Sequence, residues 1–374
     1  NTSFYHDIKL RITILLYKVF ILSLIRVIYM MVNIKDLILQ SENQEALSIL
    51  NSAGELGKKE NIEVYVVGGF VRDLIMGKTI NDIDIMVVGD GIIFAEKLAE
   101  NLGIKKIVPF KKFGTASIPN QKYPIEVATA RTEKYNDISR NPSEISYATL
   151  DGDLIRRDFT INAMAMDIHP SRFGDLTDPF GGISDIEKRI ITTPLSPDDT
   201  FSEDPLRMMR AVYFSSKLGF NINNECLNAI NRKLERIKIV SSERIRDEFF
   251  KILKTDKPSI GLILLQKTGL LKLIFPEIDI MYGMEQTSEW HHKDIFDHTM
   301  QVVDNAAKLS EKMELRFAAL VHDIAKPKTR RVDKNKGYTF HGHDALGEKM
   351  IDGVATRMKL SNNLKSYLKK LTLL

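Results

Sequence analysis

Cysteine is nearly absent from this chain: Cys226 is the only one in 374 residues. That excludes an internal disulfide and a thiolate metal cluster, and it fits a reducing, cytoplasmic environment. Charge of one sign is scarce too. The formal net charge is +4, too small to turn the whole surface toward nucleic acid, so any RNA contact has to be local. One such place runs from Arg232 to Lys257, with nine Lys or Arg against five Asp or Glu; a solvated helix face is the alternative. A long uninterrupted apolar run is also lacking. Ile12 to Met31 is rich in Ile, Leu and Val, but Lys18 and Arg26 break it, and a membrane-spanning helix needs about 20 apolar residues. No small-residue cleavage site follows, as a signal peptide requires. The chain starts at Asn1, while Met30 and Met31 stand just before the first globular pattern. Residues 1–31 therefore read as an extension, upstream translated sequence or a poorly ordered segment, with a membrane anchor as the alternative.

What is present is enough for two or three domains, each typically of ~100–200 residues. The spacing of Leu37, Ile38, Ala46, Leu47, Leu50 and Leu56 predicts a helix or helix pair. Strand-like stretches follow at 63–67, 80–88, 104–109, 113–118 and 123–129, with a helix over 91–102. Residues 131–155 are polar and poorly periodic and read as a long loop, either disordered or functional. After Asp158 the pattern is helical almost to the end, with breaks near Pro194 to Pro197, Pro258 and Pro276. The fold class expected is α+β, a small mixed sheet backed by helices and followed by an all-α region.

Chemistry concentrates at two early motifs. Val66-Val67-Gly68-Gly69-Phe70-Val71-Arg72-Asp73 reads as strand, glycine pair and helix, an arrangement that offers bare backbone N–H groups to a phosphate. Asp82 and Asp84 lie two apart in an alternating strand, so both carboxylates leave one face. They repel unless a cation sits between them, and oxygen-only ligands suit Mg2+. Glu126, in the strand-like 123–128, is a candidate third acid. Three acids beside a phosphate cradle describe metal-assisted phosphoryl or nucleotidyl transfer; a solvated strand edge is the plainer alternative.

Arg156-Arg157-Asp158-Phe159-Thr160-Ile161-Asn162-Ala163 puts an arginine beside a helix start, suited to a triphosphate, with Asp158 or Asn162 available to a ribose hydroxyl. A turn follows at Asp178-Pro179-Phe180-Gly181-Gly182. In Glu203-Asp204-Pro205-Leu206-Arg207-Met208-Met209-Arg210, the spacing predicts Asp204, Arg207 and Arg210 on one helical face. An intrahelical salt bridge is one use of that face. Base reading is the other. Cytosine and adenine both present an amine next to an unprotonated ring nitrogen, so a carboxylate acceptor with an arginine donor matches C and A and mismatches U and G.

With these motifs in order, residues 62–250 resemble the class II tRNA nucleotidyltransferases, the CCA-adding enzymes, whose head they share with poly(A) polymerases. The resemblance implies a polymerase-β-like nucleotidyltransferase head over 32–165, a helical neck and body over 166–275 carrying the base-reading helix and an RNA-binding region, and addition of C, C and A to the tRNA 3′ end from CTP and ATP. It implies Mg2+ on Asp82 and Asp84, nucleotide contacts from Gly68, Gly69, Arg72 and Arg157, base selection by Asp204 and Arg207, and help from Arg210. The helix containing Ser241 to Glu248 resembles the one that supports the base-reading helix. Where the family often carries another arginine, this chain has Tyr213. A poly(A) polymerase, a CC-adding enzyme and a non-catalytic tRNA-binding module are the rival readings.

Further on, His298 precedes the pair His322-Asp323 by 24 residues, and His341-Gly342-His343-Asp344 comes next. Nitrogen ligands favour a transition metal over Mg2+. The stretch 276–374 resembles an HD phosphohydrolase domain, which implies His298, His322 and Asp323 as ligands of a second divalent metal and a final aspartate beyond Leu374, hence an incomplete domain. A metal phosphohydrolase with an inert head, and an HD-like domain that only supports tRNA binding, are the alternatives. No stable membrane association is expected, and the oligomeric state is left open.

Overall fold

The computed structural model describes residues 33–40, 44–136, 139–288, 291–333 and 337–373. The extension 1–31 and its apolar run lie outside them. Among the described residues no helix is long and apolar enough to cross a membrane. The chain divides into two compact units. The first takes residues up to 134, 142–188 and 192–195, and the second takes 135–141, 189–191 and 196 onward.

In the first unit, helices α1 (Lys35–Leu39) and α2 (Gln44–Glu60) precede strand β1 (Val64–Val67), helix α3 (Gly69–Ile75), strand β2 (Ile83–Val87) and helix α4 (Gly91–Asn101). Strands β3 (Val108–Phe110), β4 (Thr115–Ile118) and β5 (Ile125–Thr129) follow. The seven-stranded mixed sheet has the order β3-β4-β5-β2-β1-β8-β9, where β8 is Ala165–Asp167 and β9 is Leu176–Thr177. One face is a packed core. Val64, Val66, Ile83, Ile85, Ile125 and Val127 alternate onto it and meet Ile49, Leu50 and Ala53 of α2 and Phe94 and Leu98 of α4. Each such large side chain contributes roughly 1.5–3 kcal/mol of burial. On the other face a smaller cluster of Tyr65, Val67, Met86, Leu154 and Ala165 covers only the β1–β2 side.

Three expectations are corrected. The strand expected over 104–109 is the shorter β3, because 104–107 pass outside the ladder. Residues 131–155 are not a loop: they form strands β6 (Arg131–Asn136) and β7 (Ser139–Tyr147), which make a hairpin of their own, and helix α5 (Leu150–Ile155). The sequence over 131–147 is polar and carries no apolar alternation to read. Nor is the chain helical straight after Asp158. Beta strands β8 and β9 complete the sheet, so its order runs past residue 165, and helix α6 (Gly182–Lys188) belongs to the same unit. Strands of three and two residues, at the β1 end of the sheet, fall below the length at which a period of two shows.

The second unit is mainly helical, with three short two-stranded sheets: its helices are α7 (Pro197–Glu203), α8 (Leu206–Leu218), α9 (Asn224–Lys233), α10 (Ser242–Leu253), α11 (Pro258–Lys267), α12 (Leu270–Ile274), α13 (Pro276–Asp279), α14 (Ile295–Leu309), α15 (Met313–Val321), α16 (Lys326–Thr329), α17 (His343–Arg357) and α18 (Asn362–Thr372). Phe249, Phe275 and Phe317 meet edge to face with centroids 5.8–6.3 Å apart at its centre. Arg316 is buried and donates to the carbonyls of Leu253, Thr255, Ala307 and Ser310, which ties three helix ends together.

Candidate functional site

The three acids of the first unit come together by strand register. Asp84 sits in β2 directly across from Glu126 in β5, on the face away from the packed core, and Asp82 leaves just before β2 begins. Burial, reinforced by the charges of Asp82 and Glu126, pushes the Asp84 carboxyl up to about 7, while Arg157 and Arg72 pull it back. A carboxyl that resists ionising among like charges is what a cation relieves, and the donors are all oxygen. The acids therefore fit a divalent cation.

Gly68 links this group to the arginines. Its φ of 69° and ψ of −128° belong to glycine, and a Cβ added there would lie 3.1 Å from Arg157 Nη1 and 3.6 Å from Asp84 Oδ2. A Cβ on Gly69 would lie 3.5 Å from Arg72 Nη2. The glycine pair keeps open a space bounded by two guanidinium groups and a carboxylate, at the start of α3. Arg72 is itself buried and donates to both oxygens of Asp73 at 2.8 and 2.9 Å and to Asn162 Oδ1 at 2.5 Å. Asn162 in turn donates to Asp158 Oδ1 at 3.1 Å. Both Asp158 and Asn162 are thus buried in the network that aims Arg72.

One residue of this group escaped the sequence reading. Asp153, fully buried in α5, accepts from Arg157 Nε and Nη2 at 3.1 and 2.8 Å and from Arg156 Nε at 3.0 Å. Burial opposes its ionisation, but the two guanidinium groups hold its carboxyl below the ordinary range. The only signal in the sequence was an acid three and four residues before paired arginines, a spacing that is usually a surface pair. The turn at 178–182 packs within the first unit: Asp178 caps α6 through the N–H groups of Gly182 and Ile183, and a Cβ on Gly182 would lie 2.5 Å from the Thr160 carbonyl.

In the second unit the expected single helical face is corrected. Asp204 lies between α7 and α8 in extended backbone, and its side chain caps Leu206 N–H at 3.2 Å. No Asp204–Arg207 bridge is made through the face of a helix. Arg244 of α10 instead grips both Asp204 oxygens at 3.2 and 2.8 Å, and Arg207, buried, donates to Glu203 at 2.9 Å. Arg210 lies over the Phe214 ring at 5.3 Å. Tyr213 stands between Lys217 and Lys251, whose ammonium groups are 5.8 and 5.9 Å from its ring, so cations gather where the family arginine is missing. Part of the basic excess over 232–257 is engaged internally, Arg232 with Asp198, Arg236 with the Ser202 carbonyl and Lys251 with Glu248.

The histidine set also converges. His298 of α14, His322 and Asp323 offer ligand atoms within 4.8 Å of one another. Asp323 is buried; its Oδ2 lies 3.0 Å from His322 Nε2, 3.7 Å from His298 Nε2 and 2.8 Å from Lys326 Nζ, yet none is aligned as a hydrogen bond. His322 Nδ1 lies 2.8 Å from the Ala319 carbonyl, which can only accept, so Nδ1 carries a proton and Nε2 is the ring atom turned toward Oδ2. Burial raises the Asp323 carboxyl, but His322 and Lys326 hold it down to about 2. His343, not among the expected ligands, lies 3.6 Å from the other oxygen, Oδ1, and makes the same Nδ1 bond to Phe340. A cavity of about 660 Å³ opens beside them, lined by His322, Asp323, Lys326, His341, His343 and Asp344.

Comparison with known proteins finds three family matches along the chain. Residues 64–192 match the poly A polymerase head domain, 219–281 the probable RNA and SrmB-binding site of polymerase A, and 295–371 the HD domain. A multifunctional CCA protein of Vibrio campbellii (strain ATCC BAA-1116) is 35% identical over 313 residues, 81% of this chain and 73% of that protein. Its counterpart in Shewanella frigidimarina (strain NCIMB 400) is 35% identical over 315 residues, 81% and 71% of the two chains. Among solved structures, a tRNA nucleotidyltransferase complexed with a primer tRNA and an incoming ATP analog superposes with a TM-score of 0.63 at 27% identity, covering 85% of this chain and 83% of that one. A CCA-adding enzyme without ligand gives 0.68 at 25%, covering 92% and 83%. With the head, RNA-binding and HD segments matched along the chain and 35% identity to a relative over 81% of it, the chain belongs to the family of the multifunctional CCA proteins, the CCA-adding tRNA nucleotidyltransferases.

Proposed function

We propose that this protein adds C, C and A to the 3′ end of tRNA from CTP and ATP without a nucleic-acid template, releasing pyrophosphate. The observation that carries the reading is Asp84, paired across the sheet with Glu126, within reach of the charge of Asp82 and standing beside Gly68 and Arg157. The terminal ribose hydroxyl forms a bond to the α-phosphorus as the bond to the pyrophosphate breaks. Asp82 and Asp84 hold the divalent cation, Mg2+ in this reading, with Glu126 as the third acid. Bound there, the cation supplies charge stabilisation for the attacking and leaving oxygens. Arg72 and Arg157, aimed by Asp73, Asn162 and Asp153, steady the phosphates against the N–H groups of Gly68 and Gly69. Asp158 and Asn162 act on the nucleotide through Arg72. Asp204 and Arg207 read the base, Asp204 accepting from the exocyclic amine and Arg207 donating to the ring nitrogen, with Arg210 assisting.

The HD-like segment is assigned a separate divalent metal of the transition series on His298, His322 and Asp323, suited to phosphoester hydrolysis. We place the catalytic head in the first unit, through helix α6, the neck and body in the helices that follow as far as residue 275, and the HD-like domain over 276–374, in a cytoplasmic protein. tRNA transcripts ending before CCA, at C or at CC, are offered with one labelled nucleotide at a time. Addition of C, C and A followed by arrest is expected; continued A addition identifies a poly(A) polymerase, and arrest at CC a CC-adding enzyme.

A further inference from the structure

The sheet face that carries the acids does not end with them. Asp84 pairs with Glu126, Glu126 with Ser117 and Ser117 with Val108, so these four side chains form one row across β2, β5, β4 and β3 and leave the same face. Phe110, two residues on from Val108, shares that face. The row is polar as far as Ser117 and then meets Val108 and Phe110, which are 52% and 48% exposed on the edge strand. An exposed apolar edge is ordinarily blunted or covered. Here it is flanked by cations: between Glu100 and Glu126 there is no acidic residue, and Lys105, Lys106, Lys111 and Lys112 are all exposed. Lys112 lies 5.6 Å from the ring of Phe113, and Arg131 lies 5.7 Å from the same ring, so cations and aromatics interleave beyond the strand.

We propose that the β3 edge is the outer end of a track for the RNA strand whose 3′ terminus reacts at Asp82 and Asp84. Phe110 and Val108 stack against unpaired bases, and Lys111 and Lys112 hold the phosphates between them. Three strand spacings of about 4.8 Å put the edge about 14 Å from Asp84, the length of about four stacked nucleotides at about 3.4 Å each. Aromatic faces combined with lysines, and without a fixed set of hydrogen-bonding partners, are how single strands are held irrespective of sequence. A protein strand added to the edge would gain hydrogen bonds from the backbone alone and would leave the lysines without counter-charge. The inference rests on the proposed function for its substrate, and binding is therefore measured apart from turnover.

Phe110→Ala and the double variant Lys111→Ala/Lys112→Ala are compared with the wild-type protein and with Lys97→Ala. Lys97 is an exposed lysine on α4 that pairs with Glu60. A tRNA transcript lacking CCA is titrated by fluorescence anisotropy across a salt series, and KM for that transcript and for CTP are measured separately. Phe110→Ala is expected to weaken tRNA binding and raise its KM about tenfold. The double variant should also flatten the dependence of log affinity on log salt by up to about 1.4, two contacts at about 0.7 each. KM for CTP should move less than about twofold in both. Variants indistinguishable from Lys97→Ala, with wild-type tRNA binding intact, overturn the track and leave the proposed function standing. A wild-type protein that sediments as a dimer, and as a monomer after Phe110→Ala, makes the edge a self-interface and also overturns it. A wild-type protein that neither binds the transcript nor extends it brings down the function and the track together.

Discussion

Replacing Asp153 by Asn is the sharpest test of how the phosphate-binding arginines are aimed. The carboxylate is 1% exposed and holds Arg156 and Arg157, whose side chains are 20% and 19% exposed. Breaking a buried pair costs about 3–5 kcal/mol. Because the amide still accepts one hydrogen bond and both arginines reach water, we take the lower end, about 3 kcal/mol. For a unit of this size that corresponds to a fall of roughly 6–12 °C in the melting temperature of the first unit. The loss has a signature in pH. The folded carboxyl is held below its unfolded value of 3.8, so its stabilisation is complete well above 3.8 and disappears as pH falls through the lower folded value. The gap between wild type and variant should therefore be full at pH 7 and close on acidification. At neutral pH the freed Arg157 should raise KM for CTP about tenfold, a loss of about 1.4 kcal/mol of binding. Thermal melts followed by circular dichroism, with initial rates over a CTP series, give both numbers. A variant that melts within about 1 °C of wild type at pH 7, or keeps the same gap in acid, refutes the assignment of Asp153.

Asp82→Ala should abolish nucleotide incorporation while leaving the melting temperature within about 2 °C, since the side chain is exposed and only repels Asp84; near-normal incorporation would sink the metal assignment. Because Asp84 in the free protein titrates at about 7, Mg2+ binding should displace a proton at pH 6 and almost none at pH 8. Calorimetry in buffers of different ionisation enthalpy measures this, and proton release that does not change between the two pH values contradicts it. Arg244→Met frees Asp204 from its bidentate partner and should raise UTP use relative to CTP at least tenfold, about 1.4 kcal/mol of lost discrimination; an unchanged CTP:UTP ratio counts against base reading by Asp204. His322→Ala should lose tight Co2+ binding, read by its visible absorption, with CTP incorporation kept; retained Co2+ binding places the metal elsewhere.

The legible parts of this protein were those whose function lies in neighbouring residues. Asp82 and Asp84 stand two apart where a strand begins, close enough for the one charge to act on the other, and Gly68 precedes a helix because positive φ belongs to glycine. His322 and Asp323 adjoin in sequence. Illegible were the contacts made by register or by a bend. The stretch 131–147 is polar and shows no apolar period, and Asp204 leaves the helix because Pro205 follows it.

Sequence alone determined the chemistry on offer: acids for a cation, glycines and arginines for phosphate, an acid and an arginine for a base. Tertiary structure decided what those groups do to one another. Burial of Asp84 in the folded sheet, with Asp82 beside it and Glu126 brought across by parallel pairing of β2 with β5, raised its carboxyl, and packing of α10 on α8 gave Asp204 to Arg244, while Arg207 donates to Glu203. Pairing of β4 with β3 carried the same face out to Phe110. Side-chain type is written locally, whereas the low dielectric that shifts a pKa and the register that aligns a row exist only once distant strands have met.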